Sequence, residues 1–576
     1  MKTNRIILAG LALTALVSCN KEAAPADGGV FRTDEAYMNI RIAYADKGLA
    51  TRAVGDDANP FYYGTADENS ITSADFFFYN EDGSYVTHVN QAASGTAVGV
   101  DAPTGDNIEW KGDGTVVLKG LKSKNYPKYM AVILNADATF TATLERLQLT
   151  EAKKKVIEAV ATVGTKPQAD WTKFVMTSTT YDNSDAKSGY FCTKLVDSNF
   201  QENIADATAN PVVAYVERLA AKVKVDLNGS FQGTDMTKIG SFHVNGTAAT
   251  TELYAKVTGW GLNATTKDEY VYKMINTGFG NFTWNDPANF RSYWGISTNY
   301  STGVYPKDYH SCDAQTATLN YVSYNSLEVE PSKAAYCREN TQIKSVLEQN
   351  NFNSTVTCVL LRTLITDAAG TPISMALYDG TLYEEEAYKD RILEKYNLLA
   401  PTTVPYVSSD GVTFTKVDKS YFEEVNTGDG QVYLKFRTLT DPEKYYRHTG
   451  NGTAAADFQE LTADKATDLL NGTDAVKNTM CSFYKDGMMY YSIPIEHLGN
   501  SGKTFKDAGY AFPEGDYGVV RNHFYNLTIN KIENIGSAVY DPDEIIIPSD
   551  EDNTNYNVGA QINILSWKVV NQTVDL

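Results

Sequence analysis

The chain has 576 residues and a formal net charge of −21, with 43% hydrophobic, 21% charged and 12% aromatic residues. That length exceeds what one ordinary core organises, and the hydrophobic share excludes a disordered chain. So acidic a surface repels phosphate backbones, which argues against a nucleic-acid partner.

The first element is a segment to be removed. Met1 to Ser18 has a charged start in Lys2 and Arg5, an apolar run from Ile6 to Val17, and then Leu16-Val17-Ser18-Cys19. This is the layout of a bacterial lipoprotein signal peptide spanning 1–18, with Cys19 as the first mature residue and the expected site of lipid attachment. No other apolar run is long enough for a transmembrane helix. Residues 19–52 read as a pro-segment containing the first strand, Ala36 to Tyr44, in which Met38, Ile40, Ile42 and Tyr44 present one apolar face. Gly48, Ala50 and Thr51 then form an exposed loop before Arg52-Ala53, and small-residue loop tips are favoured nicking sites. Arg32 and Arg41 are other candidate cut sites, although a cut after Arg41 would split the strand.

Short strands and turns follow. Ala74 to Tyr79 runs through Asn80-Glu81-Asp82-Gly83 into Tyr85 to Val89, a hairpin by its Asp-Gly turn. Thr115 to Leu118 and Lys128 to Asn135 are strands, the second apolar on both faces. Arg146 to Val163 has a helical pattern, with Leu147, Leu149, Val156 and Val160 directed at the core. Strands resume at Phe174 to Met176 and Val212 to Val216 and continue to Val225; a domain boundary is expected near residue 270. In the second half Thr355 to Leu364 is a buried strand, Tyr383 to Leu399 and Glu460 to Leu470 are helical, and Val432 to Phe436, Met488 to Ile493 and Phe524 to Ile532 are strands.

Asp541 to Asn557 is acidic and rich in Pro, Asn and Asp; it fits no EF-hand spacing and reads as a solvated linker or long loop. Beyond it, Gln561 to Leu576 is an apolar strand, with Ile562 and Ile564 in one register, Trp567 and Val569 in the other, a bulge near Leu565, and Val574 close to its end. A detached strand of this kind is an edge-pairing hazard unless it finds a partner.

Catalytic patterns are missing from the sequence. The six histidines are scattered, and there is no Gly-x-Ser-x-Gly elbow, Walker loop or dinucleotide fingerprint, so no enzyme, cofactor or metal site is expected. Trp284, Tyr293, Trp294, Tyr300 and Tyr305 read as packing at a domain junction rather than as a glycan cradle. Cys192, Cys312, Cys337, Cys358 and Cys481 read as small buried hydrophobes, with Cys312–Cys337 the first pairing to test.

Several segments in this order resemble one family. They are the lipobox ending at Cys19, Arg52-Ala53 before Asp57-Ala58-Asn59-Pro60, Tyr129 to Asn135, Val216-Glu217-Arg218-Leu219-Ala220-Ala221-Lys222-Val223, Thr258-Gly259-Trp260-Gly261-Leu262-Asn263, Glu339-Asn340-Thr341, Val519 to Tyr525, Ser566-Trp567-Lys568-Val569, and Val574-Asp575-Leu576. The chain resembles the Bacteroidales fimbrillins, the shaft subunits of type V pili, and most closely their Mfa-type minor-fimbria class. The resemblance implies a mainly β fold: two β-sandwich (transthyretin-like) domains with a few short helices, plus a C-terminal donor strand. The domains are then 53–270, carrying an acceptor groove, and 271–576, ending in the donor strand 561–576. It further implies an outer-membrane lipoprotein precursor cut by an arginine-specific extracellular protease. The first strand leaves with the pro-segment, and a neighbour's C-terminal strand fills its place. The implied partners are other copies of the chain joined head to tail, accessory pilus subunits, the protease, and host or bacterial surface receptors. An anchor or tip subunit of the same pilus and a surface glycan-binding lipoprotein are the alternatives.

Overall fold

The computed structural model of the protein describes residues 6–7, 35–44, 64–92, 115–119, 126–166, 168–179, 192–202, 204–274, 295–307, 316–399, 404–450, 452–472, 477–497, 505, 507–548 and 568–575. These residues are mainly β, in several sheets with a few short helices. Among them, no helix is long and apolar enough to cross a membrane.

The N-terminal strands are β1 (Glu35–Tyr44), β2 (Ser73–Tyr79), β3 (Tyr85–Ala92), β4 (Thr115–Lys119), β5 (Tyr129–Leu134), β6 (Met176–Thr179) and β7 (Val212–Arg218). They run side by side in the order β1-β7-β6-β5-β2-β3, with β4 also paired to β1. β5 lies mid-sheet and is buried along its whole length, which is why it reads as a continuous apolar run. The β2–β3 hairpin closes at Gly83, whose φ of +84° only glycine adopts without steric cost.

The helical pattern at 146–163 is overridden. Only Leu149–Ala152 is helical, and Val156–Ile157 instead pairs with Glu269–Tyr270. Leu149, Ile157 and Val160 are buried, but Val156 is exposed. Pairing with a distant segment gives this backbone its hydrogen bonds and defeats the local propensity.

The chain continues into β8 (Ala220–Leu227), β9 (Met236–His243), β10 (Thr250–Asn263), β11 (Ala334–Arg338) and β12 (Cys358–Thr366). An inserted unit follows, made of β13 (Met375–Tyr378), β14 (Thr381–Glu384), α1 (Glu385–Leu399), β15 (Phe422–Gly428), β16 (Gln431–Phe436), α2 (Ala463–Asn471) and β17 (Cys481–Tyr484). The chain then returns through β18 (Met488–Pro494), β19 (His523–Lys531) and β20 (Lys568–Asp575). Sheets β11-β8-β19-β20 and β9-β10-β12-β18 face each other across one core, where Val223 and Leu527 of the first meet Trp260 and Leu361 of the second. The inserted unit has its own core around Tyr388, Ile392, Leu434 and Phe483.

Ala220 packs in the first core and Ala221 in the second, while Val271, Tyr272, Tyr336 and Phe524 return to the first, so the two cores interleave along the chain. β8 and β10 pair with β19 and β12, so sequence distance hides their membership of the second sandwich. The acidic segment also differs from the expected solvated linker. Ile546 and Ile547 are buried, Glu544 accepts the Asp429 N–H at 2.8 Å, and Asn325 Nδ2 donates to Asp543 at 2.7 Å. The apolar pair beneath these acids docks the segment; residues 549–567 lie outside the described residues.

Cys192, Cys337, Cys358 and Cys481 are packed in the interior; Cys337 is a free thiol, so the Cys312–Cys337 pairing is not formed, and Cys312 itself lies outside the described residues. Burial pushes the Cys337, Cys358 and Cys481 thiols up to about 12, so each is the neutral, unreactive form. Tyr300 and Tyr305 are buried, as packing residues would be; Trp284, Tyr293 and Trp294 lie outside the described residues.

Candidate functional site

β1 has three partners along its length: the short strand Ile6–Ile7 pairs antiparallel with its Ile42 and Arg41, and two longer strands flank it as well. Glu35 to Asn39 pairs antiparallel with β4, matching Glu35 to Lys119 and Asn39 to Thr115. Ile40 to Tyr44 then pairs in parallel with β7, matching Ile40 to Val212 and Tyr44 to Val216. One strand thus covers two separate edges. The sequence dictates the buried face: Val212, Ala214 and Val216 are buried while Tyr215 between them is half-exposed, the period-two alternation of a strand over a core. Met38 and Ile40 of β1 are completely buried in that same core. Ile42 and Tyr44 occupy the register positions opposite Ala214 and Val216. Arg52, Ala53 and Cys19 lie outside the described residues.

At the other end of the chain, β20 pairs in parallel with β19, from Lys568 opposite His523 to Val574 opposite Ile529. Val569 lies opposite Phe524. Ile562, Ile564 and Trp567 lie outside the described residues. β19 in turn pairs in parallel with β8, which follows β7 after the single residue Leu219. The strand beside β1 and the sheet that carries β20 are therefore one stretch of backbone, 212–227.

Charged side chains fill the crossing between the two cores. Arg521 is fully buried; its Nη2 lies 2.8 Å from Glu269 and 3.3 Å from Glu339, and also donates to the Tyr270 carbonyl at 2.8 Å. Burial pushes the Glu269 carboxyl up to about 8 against the opposing pull of Arg521, with Glu339 adding to the rise. Burial alone would lower the Arg521 guanidinium, but those two carboxylates hold it above its ordinary value. Lys273 and Glu217 form a second buried pair at 3.5 Å. Lys222 Nζ and the Tyr336 hydroxyl each reach Glu68 Oε1 at 2.6 Å, and Arg218 Nε donates to the Glu68 carbonyl at 2.8 Å. Asn522 has φ +56°, a left-handed conformation in which Asn is enriched, and it donates to Ala220 O and accepts from Arg218.

The structure brings together segments that the sequence presents as separate motifs. Glu217, Arg218 and Lys222, Glu339, and Arg521 and Asn522 all meet at this crossing. Asn340, next to Glu339, ties Ala264 O and Thr357 Oγ1 at 3.1 and 2.9 Å. In Gly259-Trp260-Gly261 the indole is completely buried and donates to Glu330 O at 3.2 Å. Gly259 is forced, since a Cβ there would sit 2.4 Å from the backbone Leu327 O, whereas one at Gly261 would sit 2.9 Å from Leu327 Cδ2, the end of a side chain that can shift. Sequence reasoning missed Glu68, Glu269 and Lys273, which carry no local pattern that separates a buried charge from a solvated one. Among the described residues, no group of three or more His, Cys, Asp or Glu is arranged to hold a metal.

Residues 482–573, from within β17 to within β20, match the family model of the major fimbrial subunit protein type IV, fimbrillin, C-terminal. Over that region the chain is a fimbrillin. Fimbrillins are surface fimbrial proteins that polymerise with accessory subunits, and their role is structural. Three solved structures are also similar to this chain. A fimbrilin (FimA) from Porphyromonas gingivalis W83 is 12% identical, over 95% of this chain and 98% of that one, with a TM-score of 0.34. The tip fimbrial protein Mfa3 from Porphyromonas gingivalis is 11% identical, over 59% and 81%, with a TM-score of 0.25. A fimbrial assembly protein from Parabacteroides distasonis ATCC 8503 is 12% identical, over 54% and 79%, with a TM-score of 0.26. At such scores the family assignment rests on residues 482–573. No curated protein matches the chain.

Proposed function

We propose that this fimbrillin is the shaft subunit of an Mfa-type, type V fimbria, exported with a lipid on Cys19 and polymerised by strand exchange after an arginine-specific protease cuts between Arg52 and Ala53. The cut releases β1 and leaves β4 and the Val212–Val216 edge without their partner. A neighbour's residues 561–576 then fill the vacancy, with Ile562, Ile564, Trp567, Val569 and Val574 as anchors. In the isolated chain β20 lies on β19, so the exchange requires it to leave that sheet. The contact is heterologous and grows as a filament rather than closing as a dimer. The filament supports adhesion to host cells and other bacteria and biofilm formation, and the lipidated precursor waits at the outer membrane.

The observation that supports this reading is the place of β1, a strand upstream of Arg52 that pairs with both β4 and β7 and buries Met38 and Ile40. Burial of two such side chains is worth about 3–6 kcal/mol, which an incoming strand of similar apolar content recovers. Main-chain hydrogen bonds add affinity without demanding a particular sequence, and the side chains set the register.

The test is to treat the lipid-free precursor with an arginine-specific protease, sequence the new N-terminus, and run the product on SDS gels. Ala53 as the new N-terminus, with SDS-resistant ladders, is the expected result. Deleting 561–576 should abolish the ladders while the far-ultraviolet dichroism stays unchanged. A cut at Arg52 that yields only monomers refutes the filament reading, and ladders that survive the deletion refute the donor assignment.

A further inference from the structure

The chain re-enters the fold after the cut site at a built anchor. Thr65 to Asn69 is a tight turn in which the Asn69 N–H donates to Thr65 O at 3.1 Å and the Thr65 N–H to Glu68 Oε2 at 2.8 Å. Glu68 and Asn69 are both only 1% exposed. Glu68 accepts from Lys222 of β8 and Tyr336 of β11, which belong to the second sandwich's sheet, while its carbonyl and the Asn69 side chain take the guanidinium of Arg218, the last residue of β7. Just beyond, Asn135 Oδ1 accepts the Thr72 N–H at 2.7 Å and its Nδ2 donates to Ser70 O at 2.7 Å; Ile71 is completely buried. A buried carboxylate is stable only with such a full set of donors, and loss of any of them is costly.

We propose that this Glu68 clip is the stop that ends the detachable part of the chain. Cutting at Arg52 releases what lies before Ala53, while residues 65–72 stay docked where β7 passes into β8. The reason is an asymmetry of anchors. β1 is held by its ladders to β4 and β7 and by two described apolar side chains; its third partner, Ile6–Ile7, lies in the same released segment, so it can separate as a unit. The clip is held by ionic hydrogen bonds from three strands and does not depend on β1 for any of them. Glu68 is thus a positioning residue: it pins the new N-terminal tail at the Arg218 end of the Val212–Val216 edge, so that loss of the pro-segment does not unravel β2. The proposal rests on the reading that β1 is removed by proteolysis.

The experiment is hydrogen exchange read by mass spectrometry on the full chain before and after arginine-specific cutting, in the wild type, Glu68→Ala and Tyr336→Phe. In the wild type the amides of 65–72 should exchange at the same rate in both states. In the cut Glu68→Ala chain they should exchange about tenfold faster or more, and in cut Tyr336→Phe a few-fold faster, while the peptide covering 129–134 is unchanged in all three. Wild-type protection that disappears on cutting overturns the proposal, as does a cut Glu68→Ala chain that exchanges like the wild type. Should Glu68→Ala fail to fold, Tyr336→Phe, which removes one hydrogen bond and no charge, decides by the same comparison. Any cut between residues 44 and 64 serves, and the mass of the released fragment reports separately whether Arg52 is the site.

Discussion

The guanidinium of Arg521 lies 2.8 Å from the carboxylate of Glu269, and neither side chain reaches solvent. Arg521 opens the approach to β19, which carries the C-terminal strand, whereas Glu269 pairs across to Ile157 of the N-terminal half. The pair therefore ties the N-terminal half to the approach to β19.

Replacing Arg521 by Met should be among the most damaging substitutions in the chain. Glu269 and Glu339 would lose their buried counter-charge, and breaking a buried pair in this way costs about 3–5 kcal/mol. Urea denaturation should show a lower midpoint, and Arg521→Met combined with Glu269→Gln should recover part of the loss. An unchanged midpoint in the single variant would mean the pair is not a tie between the cores.

Stability should decline as pH rises through neutrality. Glu269 is raised from an ordinary value of 4.5 to about 8, so the folded state keeps its proton over a range where the unfolded state has lost it. Folding then becomes less favourable from about pH 4.5 up to about pH 8, at no more than about 1.4 kcal/mol per pH unit for this group. Glu68 acts in the opposite sense. Burial alone would raise its carboxyl, but Lys222 and Arg218 hold it below its ordinary value, so its contribution is present above pH 4.5 and is lost as pH falls through the lowered value. Glu269→Gln should flatten the decline above pH 5 in thermal melts, and Glu68→Gln should flatten the acid side.

Ile40→Ala tests the first strand directly. The side chain is fully buried, and truncations of this kind cost about 2–5 kcal/mol. The loss should appear in the uncut chain and vanish once residues up to Arg52 are removed. A penalty that persists after cutting would show that β1 stays with the fold.

Gly259 and Gly380 make an informative pair. A Cβ at Gly259 would meet backbone Leu327 O at 2.4 Å, whereas one at Gly380 meets nothing within 4 Å and only the strain of φ +74° remains. Gly259→Ala should therefore cost several kcal/mol, and Gly380→Ala about 1 kcal/mol. Equal midpoints for the two variants in a denaturation series would remove the packing explanation for the Gly-Trp-Gly motif.

Much of this protein was legible in the sequence because the signals were local. Period-two alternation placed β1, an uninterrupted apolar run placed β5, and Asp82-Gly83 placed the turn between β2 and β3. The order of short motifs pointed to the fimbrillin family, which residues 482–573 bear out. The 146–163 segment was misread because a helical period there competes with a strand partner more than a hundred residues away.

Tertiary structure alone decided which core each strand joins and which charges are buried. Nothing near Ala220 marks a change of core, since β8 finds its neighbour in β19 some three hundred residues later. Nor does any local pattern separate Glu68, Glu269 and Lys273 from the many solvated charges of so acidic a chain. An apolar period is written into consecutive residues and survives in any context. A buried ion pair exists only where two distant segments meet, because its desolvation is offset by a partner the local sequence does not contain.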